Sequence, residues 1–341
     1  MLYVDDIIII GSASSFITEI VSQLGASFAF KNFGSLNYFI GLQIEYTDSS
    51  HFVYQSKYAQ DFLTKFNMLN FKPCSNPCAS NHHFVPALSP LLTIPIAYSS
   101  LVGALQHMTF TRPNLSYAMQ EACQFMSKPT QLNLIAAKRI LRYLKGSLHM
   151  GIYFQAGPLS LSAYCNADWA GDPIDRRSIT GTVVFFGGSP ITWSAKKQPT
   201  VSRSSTEVEY RSLAITTTEL YWLRTLLKDL GVYLYHPPIL WCDNVSALAL
   251  ASNLIFHAHS KHIEVDYHFV REKLLNKDLV VNYISTSDQL ADVFTKSLPS
   301  PRFHFLVHKL MGVPPLCLRG EVKAEGKRAE ERAARRAEND M

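Results

Sequence analysis

Four acidic residues in the second half of the chain could hold metal ions together: Asp168, Glu209, Asp243 and Asp292. Two lie near the ends of predicted strands, one near the start of a predicted helix and one in the last predicted helix. Gathered carboxylates repel one another unless a cation lies among them, and hard oxygen ligands suit Mg²⁺ or Mn²⁺. Two such ions about 4 Å apart bind the attacking and leaving oxygens of a phosphodiester displacement. We therefore predict that these four residues are metal ligands and catalytic residues.

The elements that must position these acids follow from the apolar periodicity of the chain. From residue 150 onward it predicts strands at 152–154, 159–165, 179–186 and 191–194, a helix at 206–230, a strand at 239–242, helices at 244–251 and 263–275, a strand at 279–284 and a helix at 288–297. Upstream it predicts a strand-turn-strand at 1–10, helices at 14–28 and 55–69, strands at 38–46 and 51–54, a proline-rich linker at 71–96, and helices at 98–126 and 130–146. The second half therefore indicates an α/β sheet covered by helices.

The composition permits about two domains with hydrophobic cores, since 47% of the 341 residues are hydrophobic. A net charge of +5 allows nucleic-acid binding without requiring it. Six scattered cysteines fit a reducing compartment better than a disulfide framework. No apolar run reaches the roughly 18 residues of a membrane span. The start MLYVDDIIIIGS is not typical of a signal peptide and resembles the middle of a strand, as in a fragment that begins inside a domain. We therefore expect a cytoplasmic or nuclear protein that is neither secreted nor membrane-bound.

Long ordered motifs carry a family resemblance. The second half contains DWAGDPIDRRSITG, ITWSAKKQPTVSRSSTEVEY, CDNVSALALA, HSKHIEVDYHFVRE and DQLADVFTKSLP. In these motifs the chain resembles the ribonuclease H domain of copia-type LTR-retrotransposon Pol polyproteins. The first half is similar to the end of the reverse transcriptase of the same elements, through the box Tyr3-Val4-Asp5-Asp6 and the runs FKNFGSLNYFIGLQI and SSLVGALQHMTFTRPNLSYA.

This resemblance implies a ribonuclease H-like α/β fold with a mixed sheet and flanking helices, preceded by a truncated reverse-transcriptase palm remnant and a helical connection. We divide the chain into a palm and thumb remnant at 1–70, a linker and helical connection at 71–150, a ribonuclease H-like domain at 151–300, and a C-terminal extension at 301–341 with a charged tail that we expect to be disordered. Asp5 and Asp6 correspond to metal-binding catalytic acids of the polymerase. We expect no polymerase activity from this chain alone, because the family's third acid and its fingers lie upstream of this box.

Within two motifs the resemblance selects one acid of a pair. Glu209 matches the helix acid of the family, whereas Glu207 points about 200° away on a helix and suits its N-terminal end. Asp292 is the final acid, whereas Asp288 lies one turn earlier and suits a helix cap.

The first acid leaves two alternatives. The family reads DADWAG where this chain has Asn166-Ala167-Asp168. Asparagine offers a neutral carbonyl oxygen to Mg²⁺ but no full charge. Asp168 is two residues further along and faces the same side of an extended strand. Either Asp168 is the ligand and the site is intact, or Asn166 has damaged it.

The implied reaction is hydrolysis of the RNA strand in an RNA–DNA hybrid, with Mg²⁺ or Mn²⁺ and no small-molecule cofactor. Expected partners are the hybrid and, if expressed, other Pol and Gag products of the element; a membrane is not expected. Several basic residues could contact phosphates or be plain solvated charges: Lys196, Lys197, Arg203, Lys261 and Arg271.

Two other clusters have weaker claims to function. A zinc-like spacing occurs in a proline-rich crossing loop where the resemblance offers no metal, at Cys74, Cys78, His82 and His83. A second group favours a structural role, although one of its first three members could assist catalysis or product release: His257, His259, His262 and His268.

Three hypotheses follow. The chain is a metal-dependent nuclease that cleaves RNA in hybrids, or a degenerate transposon relic that at most binds nucleic acid, or a protein that hardly accumulates because its palm remnant is exposed. Three intact acids favour the first hypothesis, and Asn166 favours the second.

Overall fold

The computed structural model describes residues 2–3, 6–79, 89–252 and 264–311. The first part contains strands β1 (Leu2–Tyr3) and β2 (Asp6–Ile7), helix α1 (Ser14–Ser27), strands β3 (Tyr38–Phe39), β4 (Leu42–Tyr46) and β5 (Ser50–Tyr54), and helix α2 (Ser56–Lys65). Strands β1 and β2 pair antiparallel, in agreement with the predicted strand-turn-strand. Helix α1 buries none of its residues, so this end of the chain adds little to the core.

The helical connection consists of α3 (Pro95–Met108), a 3-10 turn (Pro113–Leu115), α4 (Ser116–Cys123) and α5 (Gln131–Lys145). The sequence predicts one helix over 98–126, but the structure breaks it before Pro113. Proline disfavours helical backbone in the residue before it and has no N–H to donate. Helix α5 begins as its sequence suggests, because Thr130 and Asn133 form a reciprocal capping box.

Strand β6 (Gly151–Gln155) joins the sheet of the first half, which has the order β3-β4-β5-β6. It pairs antiparallel with β5 from Ser50↔Gln155 to Tyr54↔Gly151. A side chain at Gly151 would collide with the carbonyl of Val53, so this close pairing needs glycine. The predicted division at residue 150 therefore falls just before a strand that belongs to the first sheet.

The second half forms a five-stranded mixed sheet of order β11-β10-β7-β8-β9. Its elements are β7 (Leu161–Ala167), β8 (Ile179–Phe186), β9 (Ser189–Lys197), α6 (Ser205–Asp229), β10 (Ile239–Cys242), α7 (Val245–Ser252), α8 (Glu264–Leu275) and β11 (Val280–Tyr283). Strands β7, β8 and β9 are antiparallel neighbours, whereas β10 and β11 run parallel to β7. This mixed sheet with flanking helices confirms the predicted ribonuclease H-like α/β fold.

Each face of this sheet covers its own hydrophobic core. One core packs α6, α7 and α8 against the sheet and includes Val184 of β8. The other core includes Val183 and Phe185 of the same strand, because alternate residues of a strand face opposite sides. This second core also includes residues of α2, of the helical connection and of helix α9 (Ser300–Met311). All four predicted segments of the chain thus share one core.

Candidate functional site

The carboxyl ends of the parallel strands form the edge at which the predicted site lies. Asn166 is the second-last residue of β7, and Asp243 directly follows β10. Because β7 and β10 are parallel neighbours, their ends lie at the same edge of the sheet. The Ser212 hydroxyl of α6 donates to the Asn166 carbonyl oxygen over 2.9 Å, which fixes the helix to this strand end.

Glu209 comes from the N-terminal end of α6 and is buried. Its carboxyl group accepts a hydrogen bond from the backbone N–H of Ala167, while Oε2 has no hydrogen-bond partner in the described part of the chain. Burial, with smaller contributions from Cys242 and Asp243, raises the pKa of Glu209 to about 9. At neutral pH this carboxyl group is therefore protonated in the folded protein.

Asp292 lies in a 3-10 helix (Leu290–Phe294) within the range 288–297 where the sequence predicts a helix. All five residues of this turn are buried. The tight coil packs directly on β8, where a side chain at Gly181 would lie 2.7 Å from the Ala291 carbonyl oxygen. Gly181 is also the register partner of Asn166. The absence of a side chain there thus lets Asp292 reach Asn166.

Three donors surround the buried Asp292 carboxylate. The Asn166 amide donates to Oδ1, and the Lys296 ammonium lies 2.6 Å from the same oxygen. The Arg302 guanidinium lies 2.6 Å from Oδ2. Hydrogen bonds and ion pairs therefore engage both carboxylate oxygens.

Asp243 is half-buried and accepts two hydrogen bonds from the segment that follows β11. Thr286 Oγ1 donates to Oδ2 over 3.0 Å, and Gln289 Nε2 donates to Oδ1 over 3.2 Å. Gln289 also donates to the Cys165 carbonyl oxygen over 3.0 Å. Sequence analysis missed Gln289, Lys296 and Arg302 as site residues. The motif DQLADVFTK contains the first two, but their roles depend on contacts that spacing does not reveal.

Asp168 lies just beyond β7 and is turned toward β8. The Ile179 backbone N–H donates to its Oδ1, and its own N–H donates to the Ile179 carbonyl oxygen over 3.2 Å. Burial raises the pKa of Asp168 to about 6. The structure therefore brings Asn166, not Asp168, into contact with Asp292.

Glu207 and Asp288, the two acids that the resemblance does not select, have other contacts. Glu207 accepts from the Arg203 backbone N–H and lies 2.8 Å from Arg211, at the start of α6. Asp288 forms an exposed ion pair with Lys309 over 2.7 Å. Neither carboxylate is among the groups that contact Asn166 or Asp292.

The basic residues that could contact phosphates differ in their exposure and in their ion pairs. Lys196 and Arg203 are exposed. Lys197 lies 2.9 Å from Asp175 and also pairs with Asp172, so its charge is already compensated.

Other predicted residues are described only partly. Arg271 packs over the ring of Tyr267. His268 is exposed on α8. The Cys74 thiol donates to the carbonyl oxygens of Asn76 and Arg139. Strand β2 includes Asp6, but its side chain is not described. The remaining residues lie outside the described ones: Asp5, His82, His83, His257, His259, Lys261 and His262.

A divalent cation does not fit the site as the described residues arrange it. Oε2 of Glu209, a buried oxygen without a donor, would suit a cation. However, Asn166 brings no charge, and Lys296 and Arg302 already neutralise Asp292. In the described ranges, no three His, Cys, Asp or Glu side chains are grouped closely enough to hold a metal ion.

Comparison with known proteins identifies the family. Residues 1–80 match the family model described as reverse transcriptase (RNA-dependent DNA polymerase). The Pol polyprotein from transposon RE2 of Arabidopsis thaliana is 42% identical over 320 residues, which cover 93% of this chain. That from transposon TNT 1-94 of Nicotiana tabacum is 35% identical over 322 residues. The uncharacterized mitochondrial protein AtMg00810 of Arabidopsis thaliana is 44% identical over 225 residues, 65% of this chain and 92% of that protein.

The chain belongs to the copia-type retrotransposon Pol family. It spans 22% of the length of the RE2 polyprotein and 24% of that of TNT 1-94, so it corresponds to one region of such a Pol polyprotein. LC11-RNase H1, isolated from compost, aligns over 40% of this Pol region and 94% of its own chain, with 13% identity and a TM-score of 0.33. The foamy viral protease-reverse transcriptase in complex with RNA/DNA hybrid aligns over 76% of this region and 30% of its own chain, with 13% identity and a TM-score of 0.41. In the described part of the Pol region, no helix is long and apolar enough to cross a membrane.

Proposed function

We propose that this Pol region contains a ribonuclease H domain that binds an RNA–DNA hybrid without cleaving it. The observation that carries the proposal is the contact between the Asn166 amide and Asp292. A neutral amide occupies the strand-end position beside the acids, and it donates a hydrogen bond to Asp292 instead of sharing a cation with it. The site thus keeps its shape and lacks one of the charges that two-metal hydrolysis uses.

Hybrid binding is supported by the family, by the fold and by one exposed surface beside the site. The Trp169 ring is 56% exposed, and its indole N–H donates to the Ser202 carbonyl oxygen over 3.2 Å. Arg203, the next residue along the chain, is also exposed. A fixed aromatic ring beside a cation suits stacking on a sugar or base and contact with a phosphate.

A binding measurement tests this proposal. Fluorescence anisotropy of a labelled RNA–DNA hybrid is titrated with the full chain and with the Trp169→Ala and Trp222→Ala variants. Trp222 is the matched control, because its ring is 55% exposed but lies on α6 well away from Glu209. We expect saturable binding that Trp169→Ala weakens about tenfold, which corresponds to about 1.4 kcal/mol and lies within the range for one stacked base. No binding by the folded chain would refute the proposal.

Cleavage of the hybrid is the second candidate function. It is favoured by the gathering of Glu209, Asp243 and Asp292 at one sheet edge, with Asp168 nearby as the remaining acid. Two substitutions separate the candidates. If Asp168 completes the site, Asp168→Asn abolishes cleavage and Asn166→Asp leaves it unchanged. If Asn166 is the defect, the unsubstituted chain does not cleave, whereas Asn166→Asp restores one missing charge.

A further inference from the structure

Two side-chain cations converge on one buried carboxylate. The Asp292 side chain is 1% exposed and lies between Lys296, at 2.6 Å from one oxygen, and Arg302, at 2.6 Å from the other. A buried carboxylate without a counter-charge is strongly destabilised. These two cations therefore supply a counter-charge to Asp292 from the protein's own side chains.

Arg302 also connects Asp292 to the segment that holds Asp243. The Arg302 guanidinium donates to the Thr286 carbonyl oxygen over 2.5 Å, and the Thr286 hydroxyl donates to Asp243 over 3.0 Å. Arg302 belongs to α9, whose apolar face lies in the core shared with the connection. Arg302, which lies outside the five-stranded sheet, thus links Asp292 to Asp243 through Thr286.

Lys296 lies near the remaining carboxyl groups. The positive charge of Lys296 is within electrostatic range of both Asp168 and Glu209. Its ion pair with Asp292 makes a third acid within its reach. One ammonium group thus interacts with three of the four predicted site acids.

We propose that Lys296 and Arg302 are the resident cations of this site and that they hold the acids together in place of a divalent ion. Metal binding would then have to compete with the pairs between Asp292 and these two residues. This inference concerns the same site as the proposed function, but it does not depend on hybrid binding.

The test compares Mn²⁺ binding and thermal stability in the full chain and in two variants, Arg302→Gln and Lys309→Gln, without nucleic acid. Lys309→Gln is the matched control, because it removes a cation of the same helix from an exposed pair with Asp288. We expect Mn²⁺ to leave the Tm of the unsubstituted chain and of the control unchanged. Arg302→Gln should lower the Tm without metal, regain it with Mn²⁺, and bind Mn²⁺ at least tenfold more tightly than the unsubstituted chain.

Two results would overturn the inference. One is a rise in the Tm of the unsubstituted chain with Mn²⁺ that equals the rise in Arg302→Gln. The other is an Arg302→Gln variant that folds but does not respond to Mn²⁺. If Arg302→Gln does not fold without metal, Lys296→Gln provides the same comparison, because the Lys296 side chain is 44% exposed and tolerates substitution more readily. Failure of hybrid binding would leave these outcomes unchanged.

Discussion

The proposed function depends on the amide of Asn166. The Asn166 side chain donates to Asp292 and adds no negative charge at the sheet edge where Glu209 and Asp243 also lie. An aspartate at position 166 would place two carboxylates in contact, and they would need a shared proton or a cation. The chemical difference between the two candidate functions therefore lies in one side chain.

Glu209 gives this site a specific pH dependence. Its folded-state pKa of about 9 lies above the unfolded value near 4.5, so the protonated form favours the folded state. The stability from this group is fully present below about pH 4.5 and is lost as the pH rises toward 9. Glu209→Gln is permanently neutral and avoids this loss. We expect the variant and the original chain to have similar Tm values near pH 5 and the variant to be more stable near pH 9. Parallel Tm curves across this range would contradict the assignment.

The position of Asp243 could be predicted from the sequence, because an acid that directly follows a strand lies at the edge of the sheet. Asp243 directly follows a strand whose bounds were predicted correctly, 239–242. The sequence could not show that Asn166 contacts Asp292, because the two residues are distant in sequence. Arg302 could not be found either, since its role depends on how α9 packs.

At the level of elements, Gly181 positions the turn that carries Asp292. The turn packs on β8 so closely that a methyl group at this position would lie 2.7 Å from the Ala291 carbonyl oxygen. Gly181→Ala should therefore displace the turn and lower the free energy of unfolding by about 1–3 kcal/mol. Gly188→Ala is the control, because an added methyl group there meets nothing within 4 Å. Chemical denaturation measures both variants, and equal stability of the two would show that the turn is not packed as described.

The same turn shows the limit of periodicity as a guide to secondary structure. The sequence predicts one helix over 288–297, whereas the structure has two short 3-10 helices, Thr286–Asp288 and Leu290–Phe294. Backbone hydrogen bonds here join residues three apart, as in a 3-10 helix: the Thr295 N–H donates to the Asp292 carbonyl oxygen over 3.3 Å. By contrast, α6 and the strands of the five-stranded sheet were predicted within a few residues of their bounds.

At the level of the whole molecule, helix α9 joins parts that the sequence divides. Its buried residues share a core with the connection and with β8, so the five-stranded sheet has hydrophobic cores on both faces. The predicted boundaries at 70, 150 and 300 remain predictions about chain organisation. The shared core indicates that the parts between them do not fold independently.

One substitution in α9 should therefore destabilise the entire described fold. Leu306 is 0% exposed, and Leu306→Ala should lower the free energy of unfolding by about 2–5 kcal/mol. Phe305→Ala is the control on the same helix, because that ring is 50% exposed. Urea unfolding followed by circular dichroism and by tryptophan fluorescence should show one shared transition that moves in Leu306→Ala. Two separate transitions, of which only one moves, would contradict the shared core.

Whether Asn166 prevents hydrolysis is measured by incubating a labelled RNA–DNA hybrid with the full chain, with Mg²⁺ or Mn²⁺ against EDTA, at concentrations at which anisotropy shows binding. The Asp243→Asn variant controls for contaminating nuclease. We expect bound, intact RNA under every condition. Metal-dependent cleavage that disappears in Asp243→Asn would contradict the proposed function and would establish a working ribonuclease H despite Asn166.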